Sequence, residues 1–171
     1  MGIGALAAGV FGGTVFLLAG RKFSKDAGGW FPLAASLLFL GALLFRLALG
    51  YASEGFTTDM DTFKSWASVT NQVGFQQIYH QDIFLDYPPG YLYVLVLLEK
   101  LRLLLGLAAD SPAFTLVMKL PSILADLFCG GVLLLLAKSR LGQRGALLVA
   151  AAYLFCPAVY LNSAQWGQAD S

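Results

Sequence analysis

Two acids, Asp59 and Asp61, stand two residues apart in the stretch 55–67, G-F-T-T-D-M-D-T-F-K-S-W-A. A positioned carboxylate can serve as a general base, taking the proton from a hydroxyl as its oxygen attacks. On a helix, residues at i and i+2 point to different faces, so the pair is poorly placed to share a divalent ion. Acids in a first helical turn are also favoured by the macrodipole, and local pattern does not choose between that role and chemistry. Further along, Asp86 and Tyr87 precede a double proline in D-Y-P-P-G-Y-L-Y. Near the C-terminal end, N-S-A-Q-W-G-Q-A-D (162–170) is polar for a segment that follows an apolar run. Its Trp166, Gln168 and Asp170 line a pocket or belong to an interfacial loop. Arg102, Lys64 and Lys119 are cations of the kind that stabilise a phosphate. His80, the one histidine, has no partner at metal-ligand spacing and reads as a solvated loop residue.

Such residues need elements to hold them, and composition says where those elements lie. Of 171 residues, 58% are hydrophobic and 12% charged, and mean hydropathy is +0.71. Soluble domains carry about 25% charged residues, so the chain reads as an integral membrane protein and not as a water-soluble or disordered one. A net charge of +1 offers no basic field for nucleic acid. Cys129 and Cys156 sit in apolar runs, which argues against a disulfide framework or a zinc site.

A spanning helix needs about 20 apolar residues. Four runs come close: 3–20, 30–51, 116–137 and 146–161. A fifth, Tyr91 to Leu107, contains Glu99, Lys100 and Arg102, which would be costly at the bilayer centre. Arg21, Lys22 and Lys25 follow the first run, and Lys138, Arg140 and Arg144 separate the last two. Both clusters should be cytoplasmic. They share a side only if Tyr91 to Leu107 lies in the interface as an amphipathic helix. The first run lacks a basic leader and reads as an anchor, not a signal peptide. The expected fold is all-α, with about four transmembrane helices and an external loop, 52–115. Seven acids and three bases in that loop agree with an external location. The chain reads as a single module and as the N-terminal part of a longer protein.

Within the loop, Met60, Phe63, Trp66, Ala67 and Thr70 recur at helical spacing. Thr58 suits an N-cap completed by Asp61, and Gly74 suits a stop. Pro89 can open the next helix, where a missing N–H is harmless. Tyr87, Tyr91 and Tyr93 fit an interfacial belt. Inside the spans, Lys119 and Asp126 share one helix face, and Arg46 can snorkel outward.

Four motifs in this order, around Asp59, at D-Y-P-P-G-Y-L-Y-V-L, at M-K-L-P-S-I-L-A-D-L and at N-S-A-Q-W-G-Q-A-D-S, resemble the membrane glycosyltransferases of the GT-C class. The resemblance is closest to bacterial mannosyltransferase-like proteins related to the GPI-anchor mannosyltransferases, and covers Trp30 to Ser171. It implies hexosyl (mannosyl) transfer from a polyprenyl-phosphate-linked sugar donor to a glycan, lipid or protein acceptor. The reaction would take place on the external face of a bacterial inner membrane. It also implies two juxtamembrane helices in the external loop and Asp59 as general base. Asp61, Asp86, Tyr87, Arg102, Trp166, Gln168 and Asp170 are then the substrate-binding candidates. No cofactor is required, and a divalent cation is the one candidate. The family pattern lacks the run 3–20 and has further spans that complete the carrier-lipid pocket, so this piece alone is expected to be inactive. A second reading is a non-catalytic lipid-binding or transporter subunit using Asp126 and Arg46. Transporters place ionisable groups near the midplane, whereas these acids concentrate in an external loop beside aromatic and Pro-Pro elements.

Overall fold

The computed structural model describes residues 29–169, and every regular element among them is helical. Helix α1 is Trp30–Ala52, α2 Thr57–Val73, α3 Pro89–Leu104, α4 Pro112–Leu154 and α5 Pro157–Tyr160. A 3₁₀ turn spans Gln77–His80, and a π-helical turn spans Leu161–Trp166. Helices α1 and α4 are long and apolar enough to cross a membrane. The expected run 3–20 lies outside the described residues. Two compact units are formed, 29–43 with 126–156 and 44–125 with 157–169.

In the first unit, α4 is interrupted at Gly142, whose φ of 70° and ψ of −174° leave the helical region. That backbone region is open essentially to glycine alone. The chain folds back there. Gly130 and Leu154 stand equally far from Gly142 in sequence, and a Cβ added at Gly130 would lie 2.7 Å from a Leu154 methyl. Leu134 and Ala150, also equidistant from Gly142, share a buried cluster with Phe31 and Ala146. The expected loop 138–144 is therefore mostly helix, with its turn concentrated in one residue. Leu33, Leu37 and Leu40 form an exposed apolar stripe on α1.

The expected run 146–161 appears as shorter pieces: α4 ends at Leu154, and α5 begins at Pro157. Proline has no N–H to continue a helix and biases the preceding residue away from helical angles.

In the second unit, α2 and α3 pack on each other around Met60, Phe63, Trp66, Leu92, Leu95 and Leu98. All five residues expected on the inner face of α2, from Met60 to Thr70, are buried. Gly74 ends that helix, with φ of 87° and its N–H donating to the Thr70 carbonyl. Helix α3 begins at Pro89, as the double proline predicts. Its charges are managed locally. Arg102 donates to both Glu99 oxygens at 2.8 and 2.7 Å and to the Leu107 carbonyl at 2.8 Å. Chiefly through those hydrogen bonds, Glu99 raises the Arg102 pKa.

The start of α2 differs from the capping box expected at Thr58. Phe56 is the N-cap, in extended conformation and without a side-chain cap. Its carbonyl accepts from Met60 N–H, and its own N–H donates to the Trp166 carbonyl at 3.0 Å. A distant segment thus fixes the helix start. Thr58 lies inside the helix, where its carbonyl accepts from the Thr62 hydroxyl at 2.7 Å.

Candidate functional site

The polar segment after α5 folds onto the start of α2. The π-helical turn closes at Gly167, where φ is 87°, and the Gly167 and Gln168 N–H groups both donate to the Asn162 carbonyl. Gly55 faces it, also left-handed at φ 82°. A Cβ on Gly55 would stand 2.8 Å from the Trp166 carbonyl oxygen, and one on Gly167 2.9 Å from the Met60 methyl. Gly55 demands glycine on two grounds, backbone angle and space, and Gly167 on its backbone angle.

Lys119 holds this junction from beneath. It is fully buried, and its Nζ donates to the carbonyls of Gly50 at 3.2 Å, Ser53 at 2.7 Å and Gln165 at 3.2 Å. Three acceptors match the three protons of an ammonium. Ser53 Oγ adds a bond to the Gln165 carbonyl at 2.8 Å, and Ser122 Oγ one to the Gln168 carbonyl at 2.6 Å. The Phe56 and Trp166 rings lie 5.7 Å apart.

On this frame the Gln168 side-chain amide donates to Oδ2 of Asp59. Asp59 occupies the first turn of α2 and is half-buried. One carboxylate oxygen is held in place, and the other has no protein partner among the described residues.

Asp61 faces elsewhere. With Lys64 of α2 it borders a cavity of about 740 Å³, whose other walls carry Tyr51, Glu54, Asp110 and Thr115. Lys64 Nζ donates to Thr115 Oγ1 at 2.8 Å and lies 5.8 Å from the Phe114 ring centroid. Among the described residues, Glu54, Asp61 and Asp110 have no hydrogen-bond or ion-pair partner in the protein. The six-residue reach from Glu54 through Asp59 thus serves two places, the Gln168 contact and the cavity rim.

The remaining sequence candidates are dispersed. Asp86 is exposed. Tyr87 joins Phe63, Trp66 and Tyr91 in an aromatic cluster, with centroids 5.3 to 5.7 Å apart. Trp66 Nε1 anchors that cluster to the Phe84 carbonyl at 2.6 Å. Burial, followed by the neighbouring Tyr87, pushes the Tyr91 phenol up to about 12. Arg102 is engaged by Glu99 and Leu107. Trp166 is half-exposed at 49%, and Asp170 lies outside the described residues. No group of metal-ligating side chains occurs among the described residues.

Sequence reasoning missed Ser53 and Gln165 as partners of Lys119, and Tyr51, Glu54 and Asp110 as cavity walls. The paired left-handed glycines, Gly55 and Gly167, carry a local signal of tight turns. The partners themselves are set by tertiary contacts. No family model, curated protein or solved structure matches the chain.

Proposed function

We propose that the chain contributes the acid-bearing external loop of a multi-pass membrane glycosyltransferase that uses a polyprenyl-phosphate-linked sugar, with mannose as the leading hexose. The observation that carries this reading is the Asp59 carboxylate, held on one oxygen by Gln168 and, among the described residues, without a protein partner on the other. A general base needs that combination of fixed orientation and an available lone pair. The motif order of the sequence supplies the reaction class. Helices α1 and α4 are long and apolar enough to cross a membrane, and in this reading the basic residues of 138–144 face the cytoplasm and the acid-bearing loop the outside.

In this mechanism Asp59 takes the proton of an acceptor hydroxyl. The acceptor oxygen bonds to the anomeric carbon, and the bond from that carbon to the phosphate oxygen breaks. The polyprenyl phosphate leaves with the electron pair. Helix α3, with its interior face on α2 and Leu97, Leu103 and Leu104 exposed, suits the membrane surface, so the carrier tail stays in lipid while the sugar reaches the loop.

The test is a transfer assay on the full-length protein in vesicles, with a panel of polyprenyl-phosphate sugars. Sugar transfer that is lost in Asp59→Asn supports the reading. Absence of transfer and of donor hydrolysis with every donor overturns it.

A further inference from the structure

The cavity beside Asp61 is distinct from the Gln168 contact of Asp59 and has a charge pattern of its own. Its volume of about 740 Å³ falls within the range of ligand pockets, about 300–1,000 Å³. Its rim carries three carboxylates, Glu54, Asp61 and Asp110, against one ammonium, Lys64. Lys64 is turned to the Thr115 hydroxyl and pairs with none of the acids. Carboxylates without a partner among the described residues accept hydrogen bonds and repel anions, while Lys64 supplies the donors. Tyr51, 56% exposed, offers an aromatic surface at the same rim.

From this we infer that the cavity is the subsite for a neutral, hydroxyl-rich acceptor. The inference rests on the glycosyltransferase reading and deepens it by assigning the acceptor's chemical class. A lipid-linked phosphate donor is an anion and fits this rim poorly, so the donor phosphate lies outside the cavity. The acceptor's hydroxyls donate to Glu54, Asp61 and Asp110, and its oxygens accept from Lys64.

Equilibrium binding to full-length protein in detergent tests this without requiring turnover. The probes are methyl mannoside and its phosphate monoester. Wild type should bind the neutral glycoside more tightly than the phosphate. The double variant Glu54→Gln, Asp110→Asn should weaken the neutral glycoside about tenfold, the scale of losing hydrogen bonds to charged groups. It should also narrow the preference over the phosphate, with an unchanged thermal unfolding profile. Equal or tighter binding of the phosphate by wild type overturns the inference, and so does neutral-glycoside binding that the double variant leaves intact. In the transfer assay the same variant should raise acceptor KM and leave donor KM and kcat within about twofold. A shift in donor KM instead would assign the cavity to the donor and leave the glycosyltransferase reading standing. Failure of wild type to use any donor removes that reading, while the binding result stands by itself.

Discussion

Gln168 donates its side-chain amide to the Asp59 carboxylate across 109 residues of chain. The bond makes the orientation of the first acid in α2 depend on a turn formed near the other end of the described chain. Asp59→Asn retains the size of the side chain and removes its basicity. Turnover in the full-length protein should fall about 100- to 10,000-fold, with donor binding retained. Gln168→Leu removes the partner and keeps the base, so the loss should be smaller, about 10- to 100-fold, the worth of a hydrogen bond to a charged group. Asp61→Asn should leave kcat near normal at saturating acceptor. Rate measurements on the three variants check the order, and a dead Asp61→Asn with an active Asp59→Asn would reverse the assignment.

Lys119→Met should be severe. It removes a buried donor and leaves the carbonyls of Gly50 and Ser53 without it, while that of Gln165 keeps the Ser53 hydroxyl. Each buried acceptor left unsatisfied costs about 1–3 kcal/mol. A loss of about 2–5 kcal/mol allows for relaxation around the smaller side chain. Thermal unfolding of the purified protein in detergent measures it. Lys119→Arg should not restore stability, because a planar guanidinium does not fit three converging carbonyls.

Gly142→Ala should destabilise by about 1–3 kcal/mol, since alanine must occupy a backbone region essentially reserved for glycine. Gly131→Ala is the control: it is helical, and its nearest neighbour, a Phe39 ring carbon, would lie 4.0 Å from an added Cβ. Denaturation curves for the two variants should separate clearly.

Tyr91 should ionise late. Its phenol is raised from 10.0 to about 12 in the fold, so the unfolded chain loses its proton first as pH climbs. Stability from this group is fully present below pH 10 and declines as pH rises from 10 towards 12. The decline is about 1–2 kcal/mol, at about 1.4 kcal/mol per unit and allowing for partial exposure. Ultraviolet titration of phenolate should show a late-titrating tyrosine that disappears in Tyr91→Phe, and the alkaline loss of stability should shrink with it.

The helical features of this protein are carried by near neighbours, and those were legible in the sequence. The stripe Met60, Phe63, Trp66, Ala67 and Thr70 gives the buried face of α2, Gly74 its end and Pro89 the start of α3, because each depends on spacing or on backbone angles of one residue. The α2 start differs from the Thr58 cap because Phe56 is the N-cap: its carbonyl takes the first helical bond, from Met60 N–H, and its own N–H is pinned by Trp166. Local capping rules cannot see a partner over a hundred residues away. Asp59, Asp61 and Gln168 stood out by residue type. That Asp59 meets Gln168 while Asp61 borders a cavity follows from the docking of 162–168. The cationic candidates were legible as charges; Arg102 is held by near neighbours, Glu99 and Leu107, whereas Lys119 is engaged by acceptors that only the fold brings within reach.

The three carbonyls around Lys119 also impose an order on biosynthesis. Those of Gly50 and Ser53 leave the ribosome before the lysine does, whereas that of Gln165 follows 46 residues later. Until Gln165 is made, the ammonium can have at most two of its three acceptors within the protein. Closure of the junction, and with it the Gln168 hold on Asp59, waits on the synthesis of 165–168. A chain that stops between Lys119 and Gln165 lacks the residue that aims Asp59.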